Sequence, residues 1–517
     1  MLKLPVGIQS FEVIRTDGYY YVDKTRFVRK LVDEGKYYFL SRPRRFGKSL
    51  FLDTLRQAFL GKRELFEGLY LEGNWDWEAR YPVLYISFGA GVHRNVDELL
   101  QTQEEILDSH ARRYGIGLSR PSIKGRFMEM IEQLAEGSGR RVVVLVDEYD
   151  KPILDNIERP GVAADIRESL KNFYSVLKDA DPYLKFCMLT GVTKFSKVSL
   201  FSGLNNLKDV TIHPGYGTIC GYTQEDLERV FPDRLGGVDL DAVRHWYNGY
   251  SWLGEPVYNP FDVLLFLDTR EFRPYWFETG TPTFLIRLLM ERNYFVPRLE
   301  DLEAGEELIE SFELDSIKPE TLLFQAGYLT IRDVKRLLGH KRAYGLRYPN
   351  LEVKSAFSEH LLTYFVQDVH VKTENEIRMA RLLEAGDVEG LMGVFKSFFA
   401  SIPHDWYRKN ELSGYEGYYA SIFYCYFAAL GVDVLVEDAT SHGRLDMAVM
   451  FNGCCYLFEF KVVELEPGGR AMEQLEARRY HEKYIGKCAM IYLIGVEFSK
   501  KERNIVGFEV REVIKGS

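Results

Sequence analysis

Short apolar runs alternate with amphipathic stretches over the first two hundred or so residues, as in a parallel sheet covered by helices. The apolar runs predict four strands, at 37–40, 83–88, 142–146 and 186–189. The run RVVVLVDEYD (141–150) is almost unbroken in apolar and β-branched residues before it turns acidic. Such a run is typical of a strand that is buried on both faces, so we predict a central place for it in the sheet.

The pattern changes twice further along the chain. Between about 222 and 337 it becomes helical and aromatic, with WYNGYSW, NPFDVLLFL and PTFLIRLLMERNYF, and it predicts a small strand near 327–331. From about 373 it predicts two helices and then a helix near 415–430, the strands VDVLVED, LDMAVMF and CCYLFEFKVV, a helix near 470–484 and the strand CAMIYLIGV. This succession favours a separate α/β domain at the end of the chain. We therefore predict three domains, at 1–220, 221–372 and 373–517.

Composition narrows the classes of function. At 517 residues and 60.0 kDa the chain exceeds what one hydrophobic core supports. Its net charge of -10 excludes a uniformly basic nucleic-acid coat and leaves only regional basic contacts. The six cysteines show no CxxC spacing, so we expect neither a disulfide framework nor a structural zinc site. Without a signal peptide or an apolar window of membrane-spanning length, we expect a soluble cytoplasmic protein with no membrane partner.

A phosphate-binding loop is predicted where GKS follows an apolar strand and begins an amphipathic helix, in YYFLSRPRRFGKSLFLDTLRQAF (37–59). In the pattern GxxxxGK[ST], backbone amides surround phosphate, the lysine neutralises it and the hydroxyl binds Mg²⁺. Arg42 stands where the first glycine belongs, so the pattern is degenerate. The alternative is a chance helix start behind a basic surface loop. The residues predicted to bind nucleotide here are Arg44, Arg45, Phe46, Gly47, Lys48, Ser49 and Leu50.

The acidic end of RVVVLVDEYD supports this prediction from about a hundred residues downstream. Asp147 is positioned to hold Mg²⁺, and Glu148 to polarise the attacking water. A later strand, KFCMLTGVTKFS, places Thr190, Thr193 and Lys194 where a polar side chain could sense the terminal phosphate. The alternatives are helix or strand-end caps and a solvated turn.

A second candidate site lies in HGRLDMAVMFNGCCYLFEFKVV (442–463). Glu459 and Lys461 alternate with apolar residues and so face one side of their strand. A hairpin turn at Asn452-Gly453 folds that strand back towards Asp446. We predict that Asp446 and Glu459 bind Mg²⁺ and that Lys461 orients or activates water for phosphodiester attack. The alternative is a pair of solvated charges with an interstrand salt bridge; the accessory candidates are Glu416, Gln474 and Tyr480.

Two long segments carry a resemblance to known families. The segment from about residue 4 to 207, with PVGIQSFEVIRTDGYYYVDKT, SRPRRFGKSLFLDTL, LVDEYDKPI and LTGVTKFSKVSLFSGLNNL, closely resembles the prokaryotic AAA-ATPase-like family. The segment from about 412 to 512, with GYEGYYASIFY, GRLDMAV, YLFEFKV and AMEQLEARRYHEKY, resembles the PD-(D/E)XK nuclease superfamily. The resemblance implies an α/β chain with a P-loop NTPase sheet domain, a mainly helical, lid- or winged-helix-like middle and a restriction-endonuclease-like domain. It also implies ATP and Mg²⁺ as cofactors.

The leading hypothesis is an ATP-binding and ATP-hydrolysing protein whose carboxyl-terminal domain is a Mg²⁺-dependent DNA endonuclease controlled by nucleotide state. The rival is a nucleotide-dependent switch or adaptor whose nuclease-like domain binds nucleic acid or protein without cleaving it. A third hypothesis makes the helical middle the effector. Nucleic acid, with DNA favoured, is the expected partner, and a homo-oligomer stays open.

Overall fold

The structure is a computed structural model that describes residues 1–194, 206–277, 283–292, 294–306, 317–365, 369–401, 416–440 and 443–513. The FSKVSLFSGLN stretch (195–205), and Tyr415 at the start of a predicted helix, lie outside these residues. By compactness the chain divides into two units, 1–276 with 303–350 and 277–302 with 351–517. The three-domain division stays a prediction.

A parallel five-stranded sheet lies at the centre of the first unit, in the order β2-β3-β4-β1-β5. Its strands are β1 (Tyr37–Ser41), β2 (Val83–Ser87), β3 (Val142–Asp147), β4 (Leu184–Gly191) and β5 (Lys208–Asp209). The helices of this region are α1 (Phe11–Thr16), α2 (Thr25–Glu34), α3 (Lys48–Phe59), α4 (Val96–Tyr114), α5 (Ile123–Ser138), α6 (Lys151–Leu154), α7 (Pro160–Tyr174) and α8 (Val176–Asp179). The predicted strands are present, and every residue of β3 is buried. β3 is an interior strand, but β4 has the middle position in the sheet. An unbroken apolar run indicates that a strand is covered on both faces, and this does not require the middle position.

Caps set the limits of the longer helices. Asn95 and Ser122 each accept a hydrogen bond from the third backbone amide of the helix that follows. Gly115 and Gly139 end the same two helices with φ of 66° and 63°, a left-handed conformation that favours glycine. The helix bounds therefore follow from local sequence.

The middle of the chain is mainly helical and carries a small sheet. Its elements are α9 (Gln224–Val230), α10 (Leu240–Tyr247), α11 (Pro260–Thr269), α12 (Thr283–Glu291), β6 (Leu302–Gly305), α13 (Pro319–Ala326), β7 (Thr330–Arg336) and β8 (Arg342–Arg347). The sheet has the order β6-β8-β7, and β7 and β8 form an antiparallel hairpin. The sequence predicted only one small strand here, because the charged residues of β7 and β8 hide the alternation expected of a sheet.

The YVDKT segment (21–25) ties the amino terminus to these helices. Lys24 and Asp226 form a buried ion pair of 2.6 Å, and Asp226 also completes the capping box of α9. Asp23 accepts hydrogen bonds from the backbone amides of Thr25 and Tyr70. This segment, to which the sequence assigned no role, is therefore a structural connection within the first unit.

The second unit contains a mixed five-stranded sheet in the order β13-β12-β11-β10-β9. β11 and β12 are parallel, and the other described neighbours are antiparallel. The elements are α14 (Leu351–Phe365), α15 (Val369–Ala385), α16 (Val388–Ser401), α17 (Glu416–Ala429), β9 (Asp433–Thr440), β10 (Gly443–Phe451), β11 (Cys454–Val463), α18 (Arg470–Arg478), β12 (Met490–Ser499) and β13 (Asn504–Val513). β13 was not predicted, because Gly507 and the charged residues Glu509, Arg511 and Glu512 interrupt its apolar residues, and the strand lies at an edge of the sheet.

The predicted fold class is confirmed: a parallel sheet with helices, a helical middle and a mixed α/β sheet follow one another along the chain. No helix within the described ranges is both long and apolar enough to cross a membrane.

One cysteine pair corrects the expectation from spacing. A disulfide joins Cys455 on β11 to Cys488, just before β12. The two strands are parallel neighbours, with Cys455 paired to Ile491, so residues 33 apart in sequence lie side by side. Linear spacing does not report that proximity.

Candidate functional site

The first candidate site is the loop between β1 and α3. Gly47 precedes the helix with φ of 90°, a conformation that favours glycine, and a Cβ there would meet nothing within 4 Å. Lys48 begins the helix, and its Nζ donates to the carbonyl oxygens of Arg42 and Pro43, each at 2.9 Å. Burial lowers the pKa of Lys48. Ser49 and Leu50 follow, half-buried, on the first turn.

Arg42, at the place of the missing glycine, is a structural residue. Its guanidinium is buried and donates to the carbonyl oxygens of Ser41 at 2.8 Å, Thr211 at 2.7 Å and Tyr216 at 3.2 Å. It also lies over the ring of Trp252, 4.1 Å from its centroid. Burial lowers the pKa of Arg42 to about 10. The side chain braces the base of the loop from inside, which the degenerate motif did not reveal.

Aromatic residues of the YNGYSW segment (247–252) support the same loop. Phe46 is buried and packs edge-to-face on Tyr250 and Trp252, with ring centroids 4.8 and 5.3 Å apart. Arg45 is exposed and has φ of 69°, with its guanidinium 4.8 Å from the ring centroid of Phe261. Arg44 is exposed as well. Of the predicted nucleotide-binding residues, Phe46 therefore packs inwards, whereas both arginines remain at the surface.

The acids at the end of β3 form the second part of this site. Asp147 is buried and accepts hydrogen bonds from the Thr190 hydroxyl at 2.7 Å, the Glu148 amide at 3.1 Å and the Tyr85 hydroxyl at 3.2 Å. Glu148 is half-buried with φ of 52°, an unusual conformation for a non-glycine residue. Burial, and after it the charge of Asp147, raises the pKa of Glu148.

The three residues predicted to sense phosphate have protein partners here. Thr190 donates to Asp147 and so helps to orient that carboxylate. The Thr193 hydroxyl and amide both donate to the buried Asp150, at 2.5 and 2.6 Å. Lys194 forms an ion pair with Asp209. Sequence reasoning missed Tyr85 and Asp150; the third acid of DEYD was the available signal for Asp150.

The second candidate site is on the mixed sheet of the second unit. Asn452 and Gly453 connect β10 to β11 with φ of 47° and 75°, as a two-residue hairpin of the predicted kind requires. The hairpin places Asp446 one residue beyond the pair formed by Met447 and Phe458, and the Phe460 amide donates to Asp446 Oδ2 at 2.8 Å. Asp446 and the ExK segment are therefore brought together, as predicted.

Glu459 is the most constrained acid of this site. Its side chain has no exposed surface, and its Oε1 accepts from Lys461 Nζ at 3.3 Å and from the Gln474 amide. Its Oε2 is buried without a hydrogen bond among the described residues. Burial, and after it the charge of Asp446, raises the pKa of Glu459 to about 8. Burial also raises the pKa of Asp446.

Lys461 is the cation of the site. Its Nζ donates to the Phe460 carbonyl oxygen at 3.0 Å and lies 3.9 Å from Glu416 Oε2. Burial lowers the pKa of Lys461, but the neighbouring acids outweigh burial, with Glu459 foremost, and the net shift is upward. Lys461 is therefore a protonated donor at neutral pH.

The accessory candidates take different places. Glu416 begins α17, and its Oε1 accepts from the Val462 amide at 3.3 Å. Gln474 lies on α18 and reaches Glu459. Tyr480 is buried in a hydrophobic cluster with Leu445, Leu475 and Tyr484, so the structure shows it as a core aromatic.

Glu497, which sequence reasoning missed, holds the helix that carries Gln474. This buried carboxylate on β12 accepts hydrogen bonds from four consecutive backbone amides, those of Gly468 (2.6 Å), Gly469 (3.1 Å), Arg470 (2.7 Å) and Ala471 (3.3 Å). An acid at a helix amino terminus is favourable because its charge meets unpaired amides and the positive end of the helix dipole. A glutamate amid apolar residues in CAMIYLIGVEF was the available signal.

The donor set fits a hard divalent cation. Within the described residues no cluster of three or more His, Cys, Asp and Glu side chains suited to a metal ion occurs. Mg²⁺, however, is usually held by one or two carboxylates and keeps several waters. Asp446 and Glu459 supply two carboxylates, and the unsatisfied buried Oε2 of Glu459 is the kind of atom that a cation would satisfy.

Sequence comparisons agree with both parts of the chain. A family model described as a predicted AAA-ATPase matches residues 5–201, and the PD-(D/E)XK nuclease superfamily model matches residues 414–508. The chain thus combines an AAA-ATPase-like domain with a PD-(D/E)XK domain. It is 55% identical over 512 residues to a protein of Azotobacter chroococcum mcd 1 named "Uncharacterized protein in vnfD 5'region", a match that covers 99% of each chain. It belongs to the family of that protein.

Proposed function

We propose that this protein binds and hydrolyses ATP at the β1–α3 loop and cleaves DNA at the Asp446 site, with nucleotide state controlling cleavage. The observation that carries the nuclease half is Glu459: a fully buried acid with one unsatisfied oxygen, beside Asp446 and a protonated Lys461. A structural acid in a core is expected to have both oxygens hydrogen-bonded. A cation-binding acid is not.

At the first site, each residue has a distinct task. Lys48 exchanges its two carbonyl partners for phosphate oxygens, while the Gly47 backbone admits the phosphate. Ser49 and Asp147 hold Mg²⁺, and Thr190 and Tyr85 keep Asp147 in place. Glu148, with its raised pKa, accepts a proton from the attacking water. Mg²⁺ held there would supply charge stabilisation at the phosphate oxygens.

At the second site, Asp446 and Glu459 hold Mg²⁺, and Gln474 fixes the orientation of Glu459. Since Lys461 is protonated, it donates hydrogen bonds to the attacking water or to the phosphate oxygens, and stabilises the negative charge that develops there. Mg²⁺ held by these two carboxylates would lower the pKa of a bound water and would supply positive charge at the scissile phosphate.

The test measures ATP hydrolysis and supercoiled-plasmid nicking in the same Mg²⁺ reactions, with and without ATP. Asp446→Ala is expected to lower nicking at least about 100-fold and to leave ATP hydrolysis unchanged. Lys48→Ala is expected to abolish ATP hydrolysis and to remove the effect of ATP on nicking. Asp433→Ala, which changes an exposed acid of the same sheet, is the matched control and should behave as wild type.

Two outcomes would contradict the proposal. Equal nicking by wild type and Asp446→Ala would leave ATP turnover without a nuclease and favour the switch or adaptor, a hypothesis that the net charge of -10 supports because tight duplex binding needs local cations. Site-dependent nicking that ATP does not change, in wild type and Lys48→Ala alike, would remove nucleotide control.

A further inference from the structure

The tip of the β7–β8 hairpin combines strong positive charge with exposed leucines. Residues 332–347, RDVKRLLGHKRAYGLR, contain six Lys or Arg and one acid, in a chain whose net charge is -10. All six cations are exposed. This is the local basic feature that a nucleic-acid-binding protein of acidic composition requires.

The apolar residues lie at the turn itself. Leu338 is 99% exposed and Leu337 51% exposed. The Leu337 amide donates to the Lys341 carbonyl oxygen at 2.9 Å, so the hairpin is closed directly beneath Leu338, Gly339 and His340. Hairpin turns are usually polar. Two adjacent exposed leucines at such a turn, set among cations, favour contact with another molecule.

The charges near the tip are only partly compensated. Lys335 pairs with Glu303, and Arg342 lies 3.8 Å from Glu306. Arg336 and Lys341 form no ion pair within the described part of the chain. Arg336 also lies directly opposite Arg342 in the hairpin register, where like charges repel each other. An anionic ligand between the strands would relieve this repulsion.

We infer that the hairpin tip binds duplex DNA: Arg336 and Lys341 contact phosphates, while Leu337 and Leu338 enter a groove against the bases. A two-stranded ribbon fits the major groove of B-form DNA, and apolar side chains contact thymine methyl groups or wedge between base steps. The narrow major groove of A-form RNA excludes such a ribbon. Two leucines are too small an apolar area for stable attachment to a membrane surface, which normally takes a longer amphipathic element. The inference rests on the proposed function in one respect, the choice of DNA as the class of ligand.

The test is fluorescence anisotropy with the full chain, a labelled 30-base-pair DNA duplex and EDTA, so that neither ATP hydrolysis nor cleavage takes part. Arg336→Ala/Lys341→Ala is expected to weaken binding about tenfold at roughly 0.1 M salt, and to reduce the slope of log affinity against log salt by about 1.8, or two phosphate contacts. Leu338→Ser is expected to weaken binding about fivefold with an unchanged slope, because it removes an apolar contact and no charge. Arg112→Ala/Arg113→Ala on α4 is the charge-matched control, and we expect it to stay within about twofold of wild type.

Several results would overturn the inference. Wild-type affinity in both hairpin variants would remove the hairpin as a contact, and an equal loss in the Arg112/Arg113 control would show a general charge effect. If the hairpin variants lost affinity for phosphatidylserine vesicles and not for the DNA duplex, the tip would be a membrane contact. Tighter binding to a double-stranded RNA of the same sequence would exclude DNA as the preferred ligand. Hairpin-dependent binding with no Asp446-dependent nicking would keep this inference and reject the nuclease. Nicking with no effect of the hairpin variants on binding would do the reverse.

Discussion

Each candidate site has an acid on a buried strand, but the two acids differ in their hydrogen bonds. Asp147 receives three hydrogen bonds, from a threonine, a tyrosine and a backbone amide. Glu459 is buried with one oxygen lacking any donor in the described residues, and its pKa is raised to about 8.

The difference concerns what each site needs from a ligand. The carboxylate of Asp147 is held by hydrogen bonds from the chain, so this side chain is oriented without a ligand. With its pKa raised to about 8, Glu459 is mostly protonated at neutral pH, so a cation that binds there would have to displace a proton. An acid such as Asp147, with hydrogen bonds to both oxygens from a fixed set of donors, is already oriented for a metal ion. An acid such as Glu459, with an oxygen that has no donor among the described residues, would first have to lose its proton.

The largest effect should come from the same acid-to-amide change at both sites. Glu148→Gln is expected to lower ATP hydrolysis about 1,000-fold while ATP still binds, because in the proposed mechanism Glu148 acts on the attacking water and not on ATP. Glu459→Gln is expected to lower nicking by a similar factor and to abolish Mg²⁺ binding at that site, because in the proposed mechanism Glu459 is a ligand of the cation. Isothermal titration with a non-hydrolysable ATP analogue, and separately with Mg²⁺ alone, distinguishes a loss of catalysis from a loss of ligand binding. Loss of ATP binding in the first variant, or retained Mg²⁺ binding in the second, would remove the distinction.

Local features were predictable at both sites because they lie in contiguous residues. The strands before Gly47 and after Asn452 are short apolar runs, and Asn-Gly specifies a tight hairpin. The sequence therefore predicted the confirmed fold class, as well as the convergence of Asp446 with Glu459 and Lys461. It also predicted the strand context of Lys48.

Long-range partners were not predictable from the same patterns. Arg42 stacks on Trp252, 210 residues away, and its burial is invisible in a motif that reads it as a substitute for glycine. The role of Thr190 as a candidate phosphate sensor stays a prediction. Its hydrogen bond to Asp147 was not predicted, because the order of the strands that sets the two residues side by side is a property of the whole sheet. Such roles depend on which strands become neighbours, and single-strand periodicity does not encode that order.

Next in size is the pH dependence of metal binding at the second site. With a pKa of about 8, Glu459 is mostly protonated at pH 7, and Mg²⁺ must displace that proton. Affinity should therefore rise with pH, by about tenfold per unit between roughly pH 6 and 8, and level off above the pKa. Mg²⁺ titrations in buffers of different ionisation enthalpy should show close to one proton released at pH 7. Affinity that is constant from pH 6 to 8, after subtraction of an Asp446→Ala control, would contradict the raised pKa.

An acid-to-amide change should reduce local stability more at Asp147 of the first site than at Glu459 of the second. Asp147→Asn places the NH₂ group of an amide opposite hydrogen-bond donors that now face a carboxylate oxygen. We expect it to lower the opening free energy of β3 by about 1–3 kcal/mol. Glu459→Gln imitates the protonated acid, so β11 should change by less than about 0.5 kcal/mol at pH 7. Hydrogen exchange of peptides from the two strands, read by mass spectrometry without metal, measures both. Equal losses in the two strands would show that both acids are ordinary structural carboxylates.

The smallest effect tests how the second site compensates for its lack of donors. Glu497→Gln weakens the cap on α18 and should let Gln474 shift away from Glu459, because a neutral amide accepts from the four backbone amides less strongly than a carboxylate. We expect nicking to fall about three- to tenfold through weaker Mg²⁺ affinity, with little change at saturating Mg²⁺. Gln474→Ala should give a loss of similar size, and the double variant should be no worse than either, since both act through one contact. Additive losses would mean that Glu497 acts on the fold of the sheet and not through Gln474. Glu464→Gln, an exposed acid paired with Lys500, is the control and should leave the Mg²⁺ dependence unchanged.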